Sequence, residues 1–243
     1  MRMSKSKTPA TLSMSDVLIQ RTLATLEFTD VATVYARRLE AHRQIVSSLR
    51  SRRINVFVDL ALGIENEYGN FSARLNDLAR PILEHNTRRR IFEFGRKLEA
   101  WKNPATLPDL VYEQNLPYLK VGVGTEMAAL LRPKDCWVTN IRTLWMHLVV
   151  KTGGDTRRAT EALGLYTSSR GDGGDDDYEY KYWRDLHPLV GRDLMRVAEL
   201  SVPLAEAGQA TIGEYPLLWA DSIAAMLFEA HKPTMRRSRR WST

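Results

Sequence analysis

Three side chains on alternating positions of one short segment, Tyr118, Lys120 and Gly122, offer the chemistry of a reader of nucleic-acid grooves. In PYLKVGV (117–123), Leu119, Val121 and Val123 point one way and the other three point the opposite way, as in a strand with one buried face. Read so, Lys120 donates to guanine O6 or N7, Tyr118 reaches a base or the backbone, and Gly122 lets a duplex approach closely. Downstream, Arg132, Lys134, Asn140 and Arg142 flank a turn and the expected start of a helix. Free N–H groups and the helix dipole favour a phosphate there. Arg50, Arg52 and Arg53 form one basic group, Arg88, Arg89 and Arg90 a second, and Arg236, Arg237, Arg239 and Arg240 a third. The guanidinium fork suits phosphate geometry, and the three groups together point to a polyanion.

These residues need elements to hold them. A lone strand in an otherwise helical chain requires a partner, and the simplest is the same strand of a second subunit. Two such strands followed by helices make a ribbon-helix-helix DNA reader, so the fold expected is mainly α, a ribbon-helix-helix homodimer embedded in additional helices. Thr125 is the expected N-cap of TEMAALL, and Asp135 that of a helix beginning near Cys136. LATLEFTD (23–30) also alternates and is the one rival strand.

Around this core, residues 1–14 read as a disordered N-terminus, 15–104 as an N-terminal helical region, 105–232 as the ribbon-helix-helix core with C-terminal helices, and 233–243 as a basic tail. Asp30 is the expected cap of a helix with Val34, Leu39, Ile45, Val46 and Leu49 on one face. Further helices are expected over 54–68, over 72–83 with a break at Pro81, and over 86–101, with a linker at Pro104 and Pro108. The TGGD turn (152–155) ends one helix and caps the next, which stops near Gly164. Helical pieces broken at Pro188 and Pro203 and a final amphipathic helix complete the pattern.

Composition narrows the chemistry. The 243 residues are 44% hydrophobic and 26% charged, ordinary for a globular chain. Lys+Arg number 35 against 29 Asp+Glu, giving +6 and a pI near 9.5. No apolar run approaches the roughly 20 residues needed to span a bilayer, and a cytoplasmic location without membrane contact is expected. The single cysteine, Cys136, rules out an intramolecular disulfide and reads as a small buried residue. His42, His85, His147, His187 and His231 show no metal-binding helical spacing. The glycines of VGVGTE lack the third glycine or the Gly-Lys-Ser/Thr of a nucleotide loop and read as turn residues. The acidic stretch 172–177 does not match a calcium loop. No cofactor, no metal and no enzymatic activity are expected, and Trp137, Trp145, Trp183 and Trp219 read as core or interface residues.

Two stretches carry family resemblances. NIRTLWMHLVVKTGGDTRRATEALGLYTSS (140–169) looks like the tyrosine-recombinase region in which a Gly-Asp turn precedes a helix ending in Leu-Gly-His. Leu165 replaces that histidine, and Thr139 stands where another is wanted three residues before Arg142. Tyr166 and Tyr178 therefore lack acid/base partners. More extensively, residues 118–187 resemble the AcaB-type transcriptional activators of conjugative plasmids and integrative conjugative elements. WVTNIRTLWMHL (137–148) and YKYWRDL (180–186) are the clearest motifs, and the Gly/Asp loop at 171–177 is longer than the family pattern. The resemblance implies a dimeric ribbon-helix-helix protein that binds promoter DNA and switches on transfer genes. The surrounding helices would enlarge the dimer core or present a surface to RNA polymerase. The alternatives are a recombinase-like or relaxosome accessory protein and a helical interaction protein without a DNA role.

Overall fold

The computed structural model describes residues 12–64, 68–75, 77–168 and 176–238. The elements run α1 (Met14–Leu23), α2 (Phe28–Arg50), α3 (Ile54–Ala61), α4 (Phe71–Leu75), α5 (Ala79–His85), α6 (Arg88–Ala100), a 3-10 turn (Pro104–Thr106), α7 (Leu107–Glu113), α8 (Val121–Leu131), α9 (Ile141–Lys151), α10 (Thr156–Ser168), α11 (Asp176–Ala207) and α12 (Pro216–Ser238). Among the described residues there is no strand, so the expected ribbon is absent. The fold is mainly α without a ribbon-helix-helix unit, and the dimer argued from that ribbon loses its basis.

The 117–123 segment shows why. Tyr118 takes φ +65°, the Leu119 N–H bonds back to Leu116 O, and the Lys120 N–H to Tyr118 O. This tight turn delivers the chain into α8 with Lys120 as N-cap. Leu119, Val121 and Val123 are buried as expected, but by a helix that is buried on nearly every side. A helix apolar all round needs no amphipathic period, so spacing alone did not separate it from a strand. Gly122 and Gly124 lie inside α8 rather than in a turn. A Cβ on Gly124 would stand 2.5 Å from Val111 Cγ2, so the glycine admits α7 at close range. Thr125 is likewise interior, its hydroxyl donating to Val121 O at 2.8 Å.

The rival strand is absent too: 23–30 is the end of α1, a turn and the start of α2, whose N-cap is Glu27 rather than Asp30. Helix α3 ends at Ala61, well before 68. Gly63, at φ +66°, turns the chain where a Cβ would lie 2.8 Å from Asn70 O. Two helices, α4 and α5, replace the one expected over 72–83, and Pro81 sits in the first turn of α5. The Pro104–Pro108 linker is itself helical, with Pro108 in the first turn of α7, where a missing N–H costs little. Helix α11 runs through Pro188 and Pro203 unbroken, packed against α1, α9 and α12.

TGGD behaves as its residues dictate. Gly153 and Gly154 take φ +64° and +90°, and their N–H groups bond to Val150 O and Val149 O, closing α9 in a Schellman motif. Asp155 then accepts from Arg158 N at 3.0 Å, capping α10, which continues past Gly164 to Ser168. Of the acidic loop, 171–175 lie outside the described residues, as do 1–11 of the expected disordered N-terminus and 239–243 of the basic tail.

Two apolar cores result. One gathers the N-terminal half of α2 with α1, α9, α10, α11 and α12 around Trp145 and Trp219. The other gathers the C-terminal half of α2 with α3, α6, α7 and α8 around Phe57, Phe94 and Met127. Helix α2 belongs to both, contributing Tyr35 to the first and Ala41 to the second, with Arg38 between them.

Candidate nucleic-acid interface

Helix α2 ends at Arg50, and a turn with Arg52 at φ +54° leads to Arg53, the N-cap of α3. Helix α6 begins at Arg88, its N-cap Thr87 accepting from Arg90 N at 3.3 Å. Packing of α3 on α6 brings these starts together. The Phe57 and Phe92 rings meet edge-on at 5.3 Å, and a Cβ on Gly95 would collide with the Phe57 ring. Arg88 consequently donates to Asn55 O at 3.2 Å and pairs with Asp59 at 2.7 Å. Two arginine groups distant in sequence thus share one end of a helix pair, where the N-termini of α3 and α6 are positive and the C-terminus of α2 is negative. Arg50, Arg52, Arg53, Arg89 and Arg90 are exposed, and Arg88 is half-buried. Arg53 bonds to the Ser51 and Ser47 hydroxyls. Among the described residues Arg50, Arg52, Arg89 and Arg90 form no ion pair.

The other expected contact residues go elsewhere. Tyr118 is exposed and packs its ring 4.7 Å from that of His85. Arg132 bonds to Trp101 O and pairs with Asp135 at 3.1 Å, while Lys134 is exposed in the turn between them. Helix α9 starts at Ile141, not near Cys136, and its N-cap is Asn140 rather than Asp135. Asn140 Oδ1 accepts from Arg142 N and Thr143 N, and Thr143 Oγ1 accepts from Asn140 N at 3.0 Å. That helix start is filled by its own capping box and buried, so no phosphate reaches it.

Asn140 and Arg142 instead meet a carboxylate. Glu126 Oε1 accepts from Arg142 Nη2 at 3.1 Å and from Arg38 at 3.3 Å. Its Oε2 accepts from Ser72 N at 2.9 Å, Ser72 Oγ at 2.8 Å and Asn140 Nδ2 at 3.3 Å. Gly122 faces the same cluster: a Cβ there would lie 3.4 Å from Ser72 Oγ and 3.7 Å from Asn140 Cβ. Burial pushes the Glu126 carboxyl up, but Arg142, Arg38 and the Ser72 donors outweigh it and hold it below its ordinary range. Asp221 completes a quartet, 2.7 Å from Arg38 Nη2 and 3.6 Å from Arg142 Nη2. Neither of its oxygens makes an aligned hydrogen bond, and the buried Nε–H groups of both arginines find no acceptor. The Arg142 guanidinium lies 3.7 Å from the centre of the Phe71 ring.

Thr139, where a recombinase would want histidine, has one beside it in space. Thr139 Oγ1 lies 2.5 Å from His187 Nδ1, and His187 Nε2 is 3.0 Å from Pro104 O. The carbonyl must receive a proton, so Nε2 donates and Nδ1 accepts from the threonine hydroxyl. Burial holds this imidazole neutral, its pKa lowered to about 4. With both nitrogens engaged in a fully buried site, His187 has no route to a substrate. Cys136 is buried as expected, and burial pushes its thiol up to about 11. Trp145 and Trp219 are fully buried core residues.

Among the described residues no group of three or more His, Cys, Asp or Glu is arranged to hold a metal ion, and no helix is long and apolar enough to cross a membrane. Compared with family models, with curated proteins and with solved structures, the chain matches none.

Proposed function

We propose that the chain is a non-catalytic regulator that binds duplex DNA through the arginine face at the starts of α3 and α6. The observation that carries this reading is the meeting of Arg50, Arg52 and Arg53 with Arg88, Arg89 and Arg90 beside two helix N-termini. Arg50, Arg52, Arg89 and Arg90, which form no ion pair among the described residues, have counterions to release, and phosphate neutralisation by Lys/Arg supplies the affinity of sequence-independent binding. The AcaB-type resemblance of 118–187 supports a role in transcription, though the ribbon it implies is not there to read bases. Sequence preference then has to come from other side chains at the rim of this face or from duplex shape.

The test is fluorescence anisotropy of a labelled promoter duplex over a range of salt. With four or five arginines engaged, log affinity falls against log salt with a slope of about −4. The triple variant Arg52→Glu, Arg89→Glu and Arg90→Glu abolishes binding while its circular-dichroism spectrum is unchanged. Absence of binding at low salt, or full affinity in the triple variant, refutes the reading. Footprinting that protects a defined promoter site supports regulation, and uniform protection along the fragment counts against it.

A further inference from the structure

We propose that the cavity above the buried ion quartet binds a small organic anion, an oxyanion head carried on an apolar body. The cavity, of about 410 Å3, opens between α2, α4, α9 and α12. That lies in the lower part of the range for small-molecule sites, roughly 300–1,000 Å3. Its walls are of two kinds. Val34, Phe71, Leu75, Ala225 and Met226 supply apolar surface, whereas Arg38, Arg74, Arg142 and Lys232 supply positive charge. Among the described residues the only lining carboxylate is Glu229, and it is taken up by Lys232 at 2.9 Å.

The arginines divide the labour. Arg38 and Arg142 form the floor, with side chains 3% and 5% exposed, and their charges are balanced by Glu126 and Asp221. The arginine Nε–H groups find no acceptor, but the two Asp221 oxygens beside them are equally unmatched, so the floor is balanced and the charge offered to a ligand comes from the rim. Arg74 stands exposed at the rim and forms no ion pair among the described residues, so its charge is available to an incoming anion. A recessed floor of this kind suits a small molecule; a duplex presents its phosphates along a stiff rod that cannot descend between four helices.

The site is separate from the arginine face. Arg38 and Arg50 lie twelve positions apart on α2, or ~18 Å at ~1.5 Å per residue. Binding here does not depend on the DNA reading, and either one can fail alone.

The probe is phenyl phosphate, titrated calorimetrically into the full chain at constant ionic strength, with inorganic phosphate and phenol as head-only and body-only controls. Phenyl phosphate binds with a Kd below about 1 mM and more tightly than either control. Arg74→Ala with Lys232→Ala weakens it at least ~10-fold through loss of charge-assisted hydrogen bonds. Ala225→Trp blocks the cavity, and all variants melt cooperatively like the parent. The triple arginine-face variant binds the probe as the parent does. No binding up to ~10 mM, equal affinity for inorganic phosphate, or undiminished binding in both cavity variants overturns the proposal. So does a silent phenyl phosphate titration accompanied by weaker duplex binding in Arg74→Ala with Lys232→Ala, which assigns the cavity to DNA.

Discussion

Arg38 and Arg142 carry the same guanidinium as Arg52 and Arg89, yet the first two are buried between helices and the second two stand in solvent. What separates them is their company in the sequence. Glu126 is the one charge in VGVGTEMAALL, Asp221 in PLLWADSIAAMLF, and Arg142 in the start of α9. Arg38 stands alone on the stripe of α2 that includes Val31, Tyr35, Ala41 and Ile45. Lone charges in apolar runs are carried inward with the run and must find one another, because an isolated buried charge is far too costly. Clustered charges sit at the ends of α2 and α6, beyond the apolar stripes of those helices, and stay at the surface. The inward set sits on the seam of the two cores, where Arg38 on the shared helix meets Glu126 from one side and Asp221 and Arg142 from the other.

The sharpest way to break this contrast is Glu126→Ala. It leaves two buried guanidiniums facing a single carboxylate and orphans both Ser72 donors. Urea denaturation is expected to show a loss of roughly 3–5 kcal/mol, the cost of removing one partner from a buried pair. Glu126→Gln keeps an oxygen for Ser72 and loses less. A cost under about 1 kcal/mol for Glu126→Ala, in the range of an exposed pair, would mean that water reaches the quartet and that the inside–outside distinction is false.

Much of the helical order was legible. The Gly153–Gly154 turn, the Asp155 cap, the apolar stripes and the core placement of Trp145 and Trp219 follow from local rules. Residues 117–123 imitate a strand because a spacing of two, followed by apolar residues at nearly every position, fits a fully buried helix equally well. Here only the +65° φ of Tyr118 decides, and it is not written in the residue type. Asn140 and Arg142 were recognised as neighbours of an anion, but the anion is Glu126, brought by tertiary packing rather than by a ligand. The arginine groups were visible one by one. Their meeting depends on Gly95 admitting the Phe57 ring, a contact between distant segments that no local pattern reports.

A second inside residue sharpens the contrast through pH. His187 is neutral in the folded chain with its pKa lowered to about 4, against 6.5 for the free side chain. Between those values the unfolded chain binds a proton that the folded chain refuses, so stability falls as pH drops from about 6.5 toward 4 and levels off below. The full loss is on the order of 3 kcal/mol. Chemical denaturation at neutral pH and at several points down to about 4 should show this decline, and His187→Gln should flatten it. An unchanged decline in that variant would place the titrating group elsewhere. The carboxyls of Asp16, Asp193 and Glu126 are held below their ordinary values of 3.8, 3.8 and 4.5, so their contributions begin to fall near those values and are lost as pH drops further.

The smallest effects on stability belong outside. Arg52→Ala, Arg89→Ala and Arg90→Ala each change the unfolding free energy by no more than about 0.5 kcal/mol, since nothing buried depends on them. Each should nevertheless lower the salt slope of duplex binding by about 1, the signature of one lost phosphate contact. Arg88 is the informative exception, because Asp59 already neutralises it at 2.7 Å. Asp59→Asn keeps an oxygen for the guanidinium while removing the competing charge, so duplex binding should tighten and its slope steepen. If Asp59→Asn leaves both unchanged while Arg89→Ala weakens binding, phosphates pass along the Arg89–Arg90 edge and never reach Arg88. If none of these substitutions moves the slope, the outer arginines are solvated charge alone, and the contrast with Arg38 and Arg142 is one of burial without function.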